Sequence, residues 1–483
     1  MNNLLIAKTF QGLEPILAQE LTELGAQDIQ TGRRMVSFTG DKTMMYRANY
    51  CLRTALRILR PIKTFKARSA DDVYEAVKAI DWSEYLHDGQ TFAVDSVVYS
   101  PEFRHSKFVA YKVKDAIADQ FRERTGSRPN VSVSNPDLQL HIHISDYDAT
   151  LALDSSGESL HRRGYRQESV AAPINEVLAA GIILMSGWRG ETDFIDPFCG
   201  SGTFCIEAAL IALGLAPGVF RQGYAFERWA DFDADLLESI AEDDSLEHPF
   251  EHHIYGRDND AKAVGIARRN VKAAGLAKYI QIDEQDFCDF AHPEEPALII
   301  TNPPYGERLN PDNLMELYRT IGQKLKHEFT GGEAWVISYA EECFDKIGLK
   351  PSLKVPLFNG ALECELRKYQ LFDGRLDDHL AGGGHIKTDR ERRQMSERSR
   401  RSGGGRFRDS HPGSDHNDHH FNKFSPHGKP GHSGKPGYAD KTGYTGHSGR
   451  SGKPGYRGNH DADPREARRE ARKRYFGNDH EED

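Results

Sequence analysis

The first 154 residues mix short strand-like and helix-like segments. Alternating apolar residues predict strands at 3–9, 34–39, 91–99 and 138–144, and apolar residues at helical spacing predict helices at 13–24 and 108–124. On the second helix, one face carries Val109, Val113, Ile117 and Phe121. The pattern predicts α+β structure for this part of the chain.

The pattern changes near residue 166, where long apolar strands begin to alternate with helices. Strands are predicted at 193–196, 254–256, 280–282, 297–301 and 334–338, helices at 203–213, 261–274 and 314–325, and an insertion at 214–229 and 232–250. Such alternation is typical of a doubly wound, mostly parallel α/β sheet. Because Asn359-Gly360 separates two further strand-like segments, we expect the sheet to end in an antiparallel hairpin.

The net charge of −10 combines two unlike regions. Residues 381–483 contain 22 Lys and Arg against 15 Asp and Glu and repeat Gly-Lys-Pro-Gly three times, whereas residues 1–380 contain 41 against 58. The C-terminal composition cannot bury enough apolar surface to offset chain entropy. It therefore predicts a disordered tail, which either aids solubility or weakly contacts RNA phosphates.

The cysteines and histidines do not indicate a metal or disulfide site. The six cysteines include no Cys-x-x-Cys pair, which fits a reducing cytosol. His141 and His143 share one face of the strand at 138–144, and we expect them on the surface because no third ligand accompanies them. With no apolar run of about 18 residues and no secretory signal at the start, we expect a cytoplasmic protein without membrane or metal partners.

A glycine loop lies between the strand at 193–196 and the next helix. In Asp196-Pro-Phe-Cys-Gly-Ser-Gly-Thr-Phe204, Gly200 and Gly202 allow a tight turn and the close approach of a ligand. The free N–H groups of the following helix favour an anionic or carboxylate-bearing ligand. No lysine follows the loop, which disfavours ATP hydrolysis. We expect Cys199 to be a small packing residue.

Acidic residues follow the next two strands. In Gly256-Arg-Asp-Asn-Asp260, we expect Asp258 to accept hydrogen bonds from both hydroxyls of a ribose. Helix capping by Asp258 or Asp260 is the alternative. Asp286 either accepts a hydrogen bond from an adenine amine or is an ordinary loop carboxylate.

The sequence Asn302-Pro-Pro-Tyr-Gly-Glu-Arg308 ends the buried strand at 297–301. Pro303 and Pro304 make the backbone rigid and extended. We expect the amide oxygen of Asn302 and the carbonyl of Pro303 to converge on an exocyclic amino group, and Tyr305 to stack on a base rotated out of its helix. The alternative is a proline-rich turn in which Tyr305 packs on a helix.

Together these motifs resemble the class I methyltransferases that use S-adenosylmethionine (AdoMet) to methylate amino groups of nucleobases. Upstream, the sequences Ser100-Pro-Glu-Phe-Arg-His-Ser-Lys107, Arg128-Pro129 and Asp154-Ser-Ser-Gly-Glu-Ser-Leu-His-Arg-Arg-Gly-Tyr-Arg166 resemble a THUMP RNA-binding domain and its linker. Over about residues 1–375 the chain is similar to bacterial THUMP-containing rRNA N2-guanine methyltransferases of the RlmL type. The second methyltransferase domain of some relatives is replaced here by the low-complexity tail.

The resemblance implies a domain order and a set of site residues. The implied domains are a ferredoxin-like α+β subdomain at 1–58, a THUMP domain at 59–158, a Rossmann-like methyltransferase domain at 159–375 and the tail at 376–483. The implied AdoMet pocket is lined by Asp196, Phe198, Gly200, Gly202, Thr203, Asp258 and Asp286. The implied target-base site consists of Asn302, Pro303, Pro304 and Tyr305. Either phosphate contacts or ordinary solvated charges are expected at Arg104, His105, Lys107 and Lys114.

Pro173-Ile-Asn-Glu176 resembles the family segment that shelters the methionine end of AdoMet. The alternative is that Pro173 starts an ordinary apolar helix.

The implied reaction is direct SN2 transfer of a methyl group to N2 of a guanine in 23S rRNA, either naked or in an assembling large ribosomal subunit. N6 of adenine in RNA presents the same kind of amino group and is the nearest alternative. A non-catalytic RNA-binding ribosome-assembly factor with this fold is an alternative of a different class. The sequence does not predict an oligomeric state.

Overall fold

The computed structural model describes residues 3–290, 297–304, 311–360 and 362–372. Tyr305 and the predicted tail lie outside these residues. The described chain forms two sheets flanked by helices. Within it, no helix combines the length and the apolar character needed to span a bilayer.

One sheet runs through the whole N-terminal region. Its strands are β1 (Asn3–Lys8), β2 (Gln27–Gly32), β3 (Met35–Gly40), β4 (Arg57–Lys66), β5 (Thr91–Tyr99), β6 (Asn130–Val131), β7 (Leu138–Ser145) and β8 (Asp148–Asp154). Their order is β2-β3-β1-β4-β8-β7-β5-β6. The helices are α1 (Glu14–Glu23), α2 (Lys42–Cys51), α3 (Ala70–Lys78) and α4 (Ser106–Thr125). Since β4 pairs with both β1 and β8, the sheet continues through the predicted ferredoxin-like and THUMP regions.

The predicted apolar faces of β7 and α4 form the centre of the N-terminal core. The buried residues are Leu138, Leu140, Ile142 and Ile144 on β7 and Val109, Val113, Ile117 and Phe121 on α4. His141, on the opposite face of β7, is only 7% exposed, and burial lowers its pKa to about 3. The expected surface position was wrong for His141, because β7 is a central strand between β5 and β8 and the charged side chains of Lys8 and Arg57 lie near the ring.

The second sheet confirms the doubly wound prediction. Its strands are β9 (Asp193–Asp196), β10 (Ile254–Asp258), β11 (Ile280–Glu284), β12 (Ala297–Thr301), β13 (Glu333–Ser338), β14 (Leu353–Asn359) and β15 (Leu362–Gln370). Their order is β11-β10-β9-β12-β13-β15-β14, parallel from β11 to β13. β15 runs antiparallel to both β13 and β14, and Asn359 pairs with Leu362 across the predicted hairpin.

Helices cover this sheet, and an insertion extends from it. The helices are α5 (Glu176–Ser186), α6 (Thr203–Ala212), α7 (Ala234–Glu242), α8 (Ala261–Ala273), α9 (Pro311–His327) and α10 (Glu341–Ile347). The insertion contains α7 and packs on the N-terminal region, where the ring of Phe226 stacks on Tyr46 with centroids 4.1 Å apart.

Buried charged groups join the N-terminal region to α6. Glu207, within the otherwise apolar α6, accepts a hydrogen bond from the hydroxyl of Tyr165 (2.9 Å) and lies 3.4 Å from Nε of Arg163. Arg163 also donates to the main-chain carbonyl of Arg53. The guanidinium of Arg53 in turn donates to the carbonyl of Leu215, just beyond α6 (2.7 Å). The N-terminal region therefore contacts the helix that follows the glycine loop.

Candidate active site

Four parallel strands end at one edge of the second sheet. In the spatial order β11-β10-β9-β12 their last residues are Glu284, Asp258, Asp196 and Thr301. The chain order reverses between β9 and β12, and open α/β sheets bind ligands outside the carboxyl ends of strands at such a point. The sequence motifs that follow β9, β10 and β12 therefore meet at one edge.

The glycine loop turns sharply between β9 and α6. Gly200 and Gly202 have φ angles of +52° and +81°, which glycine adopts readily because it lacks a Cβ. The N–H of Gly202 donates to the carbonyl of Cys199 (2.7 Å), and the N–H of Cys199 donates to the carbonyl of Arg257 on β10 (2.8 Å). Cys199 is buried, as expected. No side chain caps α6, which begins at Thr203, so its first turn can receive a ligand.

Asp196 ends β9 in a buried position. One of its carboxylate oxygens accepts hydrogen bonds from the hydroxyl of Thr301 (2.8 Å) and the N–H of Phe198 (3.2 Å). Loss of hydration raises the pKa of Asp196 to about 7, although both donors favour the charged form. This carboxyl group therefore changes its charge near neutral pH.

Asp258 and Asp260 have different partners. One oxygen of Asp258 accepts from the N–H of Gly200 (2.9 Å), the other from the N–H of Asp260 (3.0 Å). Burial raises the pKa of Asp258. The carboxylate of Asp260 instead caps α8 by accepting from the N–H of Lys262 (2.9 Å). The helix-capping alternative thus applies to Asp260, whereas Asp258 is attached to the glycine loop.

Asp286 is exposed beside the same edge. Its carboxylate accepts from the N–H of Cys288 (2.8 Å) and from the amide of Asn259 (3.3 Å). These bonds, the one from Cys288 foremost, lower the pKa of Asp286. Each carboxylate oxygen retains a lone pair for a further donor. The half-buried ring of Phe198 lies 5.4 Å from that of Phe287, so aromatic surface adjoins the carboxylate.

The segment at 173–176 precedes α5. Asn175 caps this helix by accepting from the N–H of Val177 (2.9 Å), so the helix begins at Glu176. Pro173 therefore lies outside it, and the alternative that Pro173 starts the helix was wrong.

Arg166 fixes this segment beside α6. Its guanidinium donates to the carbonyl of Ile174 and to the hydroxyl of Thr203, both at 2.9 Å. Its Nε atom also lies 2.8 Å from the carboxylate of Glu176. Arg166 thus joins the linker, the start of α5 and the first turn of α6.

Asn270 holds the linker across the glycine loop. This side chain on α8 is 1% exposed, and its oxygen accepts from two successive linker N–H groups (2.9 and 3.2 Å). Its nitrogen donates to the carbonyls of Glu168 and Ser201, both at 3.0 Å. As a result, Cγ2 of Val170 lies 3.4 Å from the position that a Cβ on Gly200 would take. Asn270 was not predicted, although it lies among the apolar residues on the buried face of its helix.

Asn302, Pro303 and Pro304 follow directly after β12. The amide oxygen of Asn302 is buried and has no hydrogen-bond partner among the described residues. Because a buried acceptor without a donor costs free energy, this oxygen suits an N–H group of a bound ligand. Tyr305, the fourth residue of the predicted site, lies outside the described residues.

Comparison with known proteins assigns the family. Three family models match: an RlmL ferredoxin-like domain at 4–59, a THUMP domain at 67–154 and an RMKL-like methyltransferase domain at 163–368. A relative from Synechocystis sp., named "Putative RNA methyltransferase slr0064", is 40% identical over 373 residues, which cover 76% of this chain and 96% of that protein. This chain belongs to the THUMP-containing, RlmL-type RNA methyltransferases.

Some relatives in this family are longer. Two proteins named "Ribosomal RNA large subunit methyltransferase K/L", from Syntrophotalea carbinolica and Methylococcus capsulatus, are 40% and 37% identical and match over 76% and 81% of this chain. The matches cover 53% and 54% of those proteins, so this chain spans about half the length of these K/L relatives.

Solved structures confirm the methyltransferase fold. The structure of "SMU.472, a putative methyltransferase complexed with SAH" has a TM-score of 0.70 and 31% identity, covering 78% of this chain and 99% of that one. A structure from Listeria monocytogenes, described as a "predicted N6-adenine-specific DNA methylase", has a TM-score of 0.69 and 32% identity, covering 76% and 96%.

The sheet edge fits AdoMet, the cofactor of RlmL-type methyltransferases. At this edge, no side chain caps α6, and the carboxylate of Asp258 is held beside the glycine loop. The amide oxygen of Asn302 has no partner among the described residues. These polar groups can contact a cofactor and a substrate base. AdoMet, when bound, supplies an electrophilic methyl group. The residues that would hold it are still those of the sequence prediction: Asp196, Phe198, Gly200, Gly202, Thr203, Asp258 and Asp286.

The four basic residues predicted to contact RNA do not form one cluster. Arg104 and His105 are exposed and line a small depression beside Phe108, and Lys107 is exposed in the first turn of α4. Lys114, two helical turns further along α4, is half-buried and lines a different and larger cleft. Their contacts with RNA remain predictions.

Proposed function

We propose that this chain transfers the methyl group of AdoMet to the exocyclic N2 of a guanine in 23S rRNA, either naked or in an assembling large ribosomal subunit. The buried amide oxygen of Asn302, which has no partner among the described residues, carries this proposal, because Asn302 directly follows β12 beside the predicted AdoMet pocket. The guanine amino group has two N–H donors, one for Asn302 and one for the carbonyl of Pro303. The names of the K/L relatives, which refer to large-subunit rRNA, support the choice of RNA.

The proposed reaction depends mainly on positioning. With both N–H groups engaged, the lone pair of the amino nitrogen would face the methyl group. The methyl carbon would pass from the sulfur of AdoMet to this nitrogen, with the carbon–sulfur bond breaking as the carbon–nitrogen bond forms, and the methylated nitrogen would release one proton to water. Such positioning contributes up to about 7–11 kcal/mol in favourable systems. Cys199 is not required as a nucleophile, and burial raises the pKa of its thiol well above the usual value.

Nucleoside mass spectrometry of 23S rRNA from cells with and without the gene tests the assignment. We expect N2-methylguanosine to decrease in the deletion strain and to be restored by the wild-type gene. A decrease of N6-methyladenosine would instead support the adenine activity for which the Listeria relative is named. Unchanged amounts of both nucleosides would favour an RNA-binding assembly factor.

A further inference from the structure

A large cleft shares none of the seven residues predicted to line the AdoMet pocket, although its lining includes the segment at 173–176. It has a volume of about 1520 Å³, which exceeds the roughly 300–1,000 Å³ of typical small-molecule pockets. Its lining includes β5, the loop before β7, Lys114 of α4, the linker at 156–176 and the insertion loop at 221–228. Because Arg166 fixes part of this linker beside α6, the cleft connects the THUMP region with the surroundings of the AdoMet pocket.

The cleft is basic although residues 1–380 are acidic overall. Seven Arg or Lys line it against four Asp or Glu. Four of the seven have carboxylate partners within the protein: Arg57 with Asp154, Arg162 with Glu158, Arg163 with Glu207 and Arg166 with Glu176. The three basic residues outside these pairs are Lys114, Arg221 and Arg228, and the lining carboxylates outside them are Asp95 and Glu227.

Of these three residues, Arg228 has the fewest partners for its positive charge. Within the described residues it forms no hydrogen bond and no ion pair, and its Nε atom is buried without a partner. Asp137 lies near enough to be influenced by its charge, but that carboxylate accepts hydrogen bonds from the N–H and hydroxyl of Thr91 (both 2.7 Å). A partly dehydrated guanidinium without a direct ion pair is costly, so an anionic ligand would stabilise it.

Arg221 and Lys114 also lack carboxylate partners. The guanidinium of Arg221 donates to main-chain carbonyls, including those of Arg162 (2.8 Å) and Glu158 (2.9 Å), and its Nε atom is buried without a partner. These acceptors are neutral, and the carboxylates of Glu158 and Asp154 influence its charge without a direct ion pair. The ammonium group of Lys114 lies 5.7 Å from the ring centroid of Tyr111 and forms no ion pair with a described residue.

We propose that Arg228, Arg221 and Lys114 bind phosphates of a single-stranded segment of the substrate RNA between the THUMP domain and the AdoMet pocket. RNA supplies one phosphate per nucleotide, and a methylated base must be accessible outside a stacked helix. Arg221 and Arg228 belong to the insertion, which would therefore extend the RNA surface beyond the THUMP domain. The inference rests on the RNA substrate of the proposed function, but not on which base is methylated.

Fluorescence anisotropy of the full chain with a labelled, unstructured 12-nucleotide RNA at several KCl concentrations tests this inference. The variants are Arg228→Gln, Lys114→Gln and the charge-preserving Arg228→Lys. Arg122→Gln is the matched control, because Arg122 lies outside the cleft and pairs with Asp119. AdoMet binding by calorimetry reports whether each variant is folded.

Each neutral variant in the cleft should raise the Kd for RNA about three- to tenfold near 0.1 M salt. It should also reduce the slope of log K against log salt by about 0.7, the value for one phosphate contact with a single strand. Arg228→Lys should keep most of the slope, and Arg122→Gln should match the wild type. Wild-type slopes in both neutral variants, with AdoMet binding intact, would overturn the inference. Because no methyl transfer is measured, that result would leave the guanine assignment to be judged by the rRNA analysis.

Discussion

The hydroxyl of Thr301, the last residue of β12, donates a 2.8 Å hydrogen bond to the carboxylate of Asp196, the last residue of β9. Both side chains are 1% exposed. Asp196 begins the glycine loop and Asn302 directly follows Thr301. One buried hydrogen bond therefore connects the predicted AdoMet pocket with the proposed target-base site.

Replacing Thr301 by valine removes this hydrogen bond with little change in shape. Since the carboxylate of Asp196 loses one of its two donors, we expect the Kd for AdoMet to rise about tenfold, equivalent to about 1.4 kcal/mol. Isothermal titration calorimetry measures the change. Thr150→Val on β8 is a suitable control, because it removes a hydroxyl from a strand of the other sheet. Equal AdoMet affinities in the two variants would contradict the role of this contact.

The raised pKa of Asp196 predicts a pH-dependent stability. In the folded protein this pKa is about 7, against 3.8 for an ordinary aspartate. The fold therefore favours the protonated form, and the stability that this provides is full below about pH 3.8 and is lost as the pH rises towards 7. Asp196→Asn stays neutral at every pH. Its unfolding free energy relative to that of the wild type should therefore increase by roughly 2 kcal/mol from pH 5 to pH 7 and by little more above pH 7. Urea unfolding without AdoMet measures this difference. A difference in unfolding free energy between the two proteins that does not change with pH would contradict the prediction.

Two of the strands that were not predicted, β2 and β4, lack a clear sequence pattern for identifiable physical reasons. β2 is a mainly exposed strand at the edge of its sheet, and Ile29 is its one apolar residue, so no alternating pattern marks it. β4 contains Pro61, where the pairing with β8 shifts register, and the proline interrupts the pattern of a strand. By contrast, β12 is buried along its whole length and is apolar up to Thr301, which made it easy to predict.

The candidate site was also predicted only in part. The sequence predicted which strand ends carry Asp196, Asp258 and Asn302, because the carboxyl ends of parallel strands share an edge. It left the alternatives for Asp258 and Asp260 open, since the choice depends on a hydrogen bond to a glycine 58 positions earlier. Asn270 could not be assigned a role either, because its partners belong to the linker.

Because Asp258 and Asp260 have different partners, replacing each by alanine should affect a different property, AdoMet affinity for Asp258 and stability for Asp260. Asp258→Ala removes a carboxylate attached to the glycine loop, and we expect the Kd for AdoMet to rise by about 10- to 100-fold. Asp260→Ala removes the cap of α8 and should lower the unfolding free energy by about 1 kcal/mol, with AdoMet affinity within about twofold of the wild type. Calorimetry and urea unfolding of both variants provide the comparison. A larger loss of AdoMet affinity in Asp260→Ala would reverse the assignment.

Asn270→Ala should weaken AdoMet binding through the linker. The substitution removes four hydrogen bonds that hold residues 167–168 and Ser201 together, so the linker should lie less firmly across the glycine loop. We expect the KM for AdoMet to rise at least fivefold, with a smaller change in the KM for RNA. Val271→Ala is the matched control, because Val271 is equally buried on the same helix but belongs to the hydrophobic core. If both variants change the KM for AdoMet equally, general destabilisation of α8 explains the effect.

Asn302→Ala should separate cofactor binding from methyl transfer. No described residue uses the amide oxygen of Asn302, so its removal should not lower the unfolding free energy through that atom. The Kd for AdoMet should stay within about twofold of the wild type. Methyl transfer should fall at least 100-fold, because the amino group loses an acceptor that orients its lone pair. Asn302→Gln keeps the amide but moves it by one methylene, and it should also be slow if position matters. Single-turnover transfer from labelled AdoMet to rRNA measures the rates, and a wild-type rate in Asn302→Ala would exclude this oxygen from the reaction.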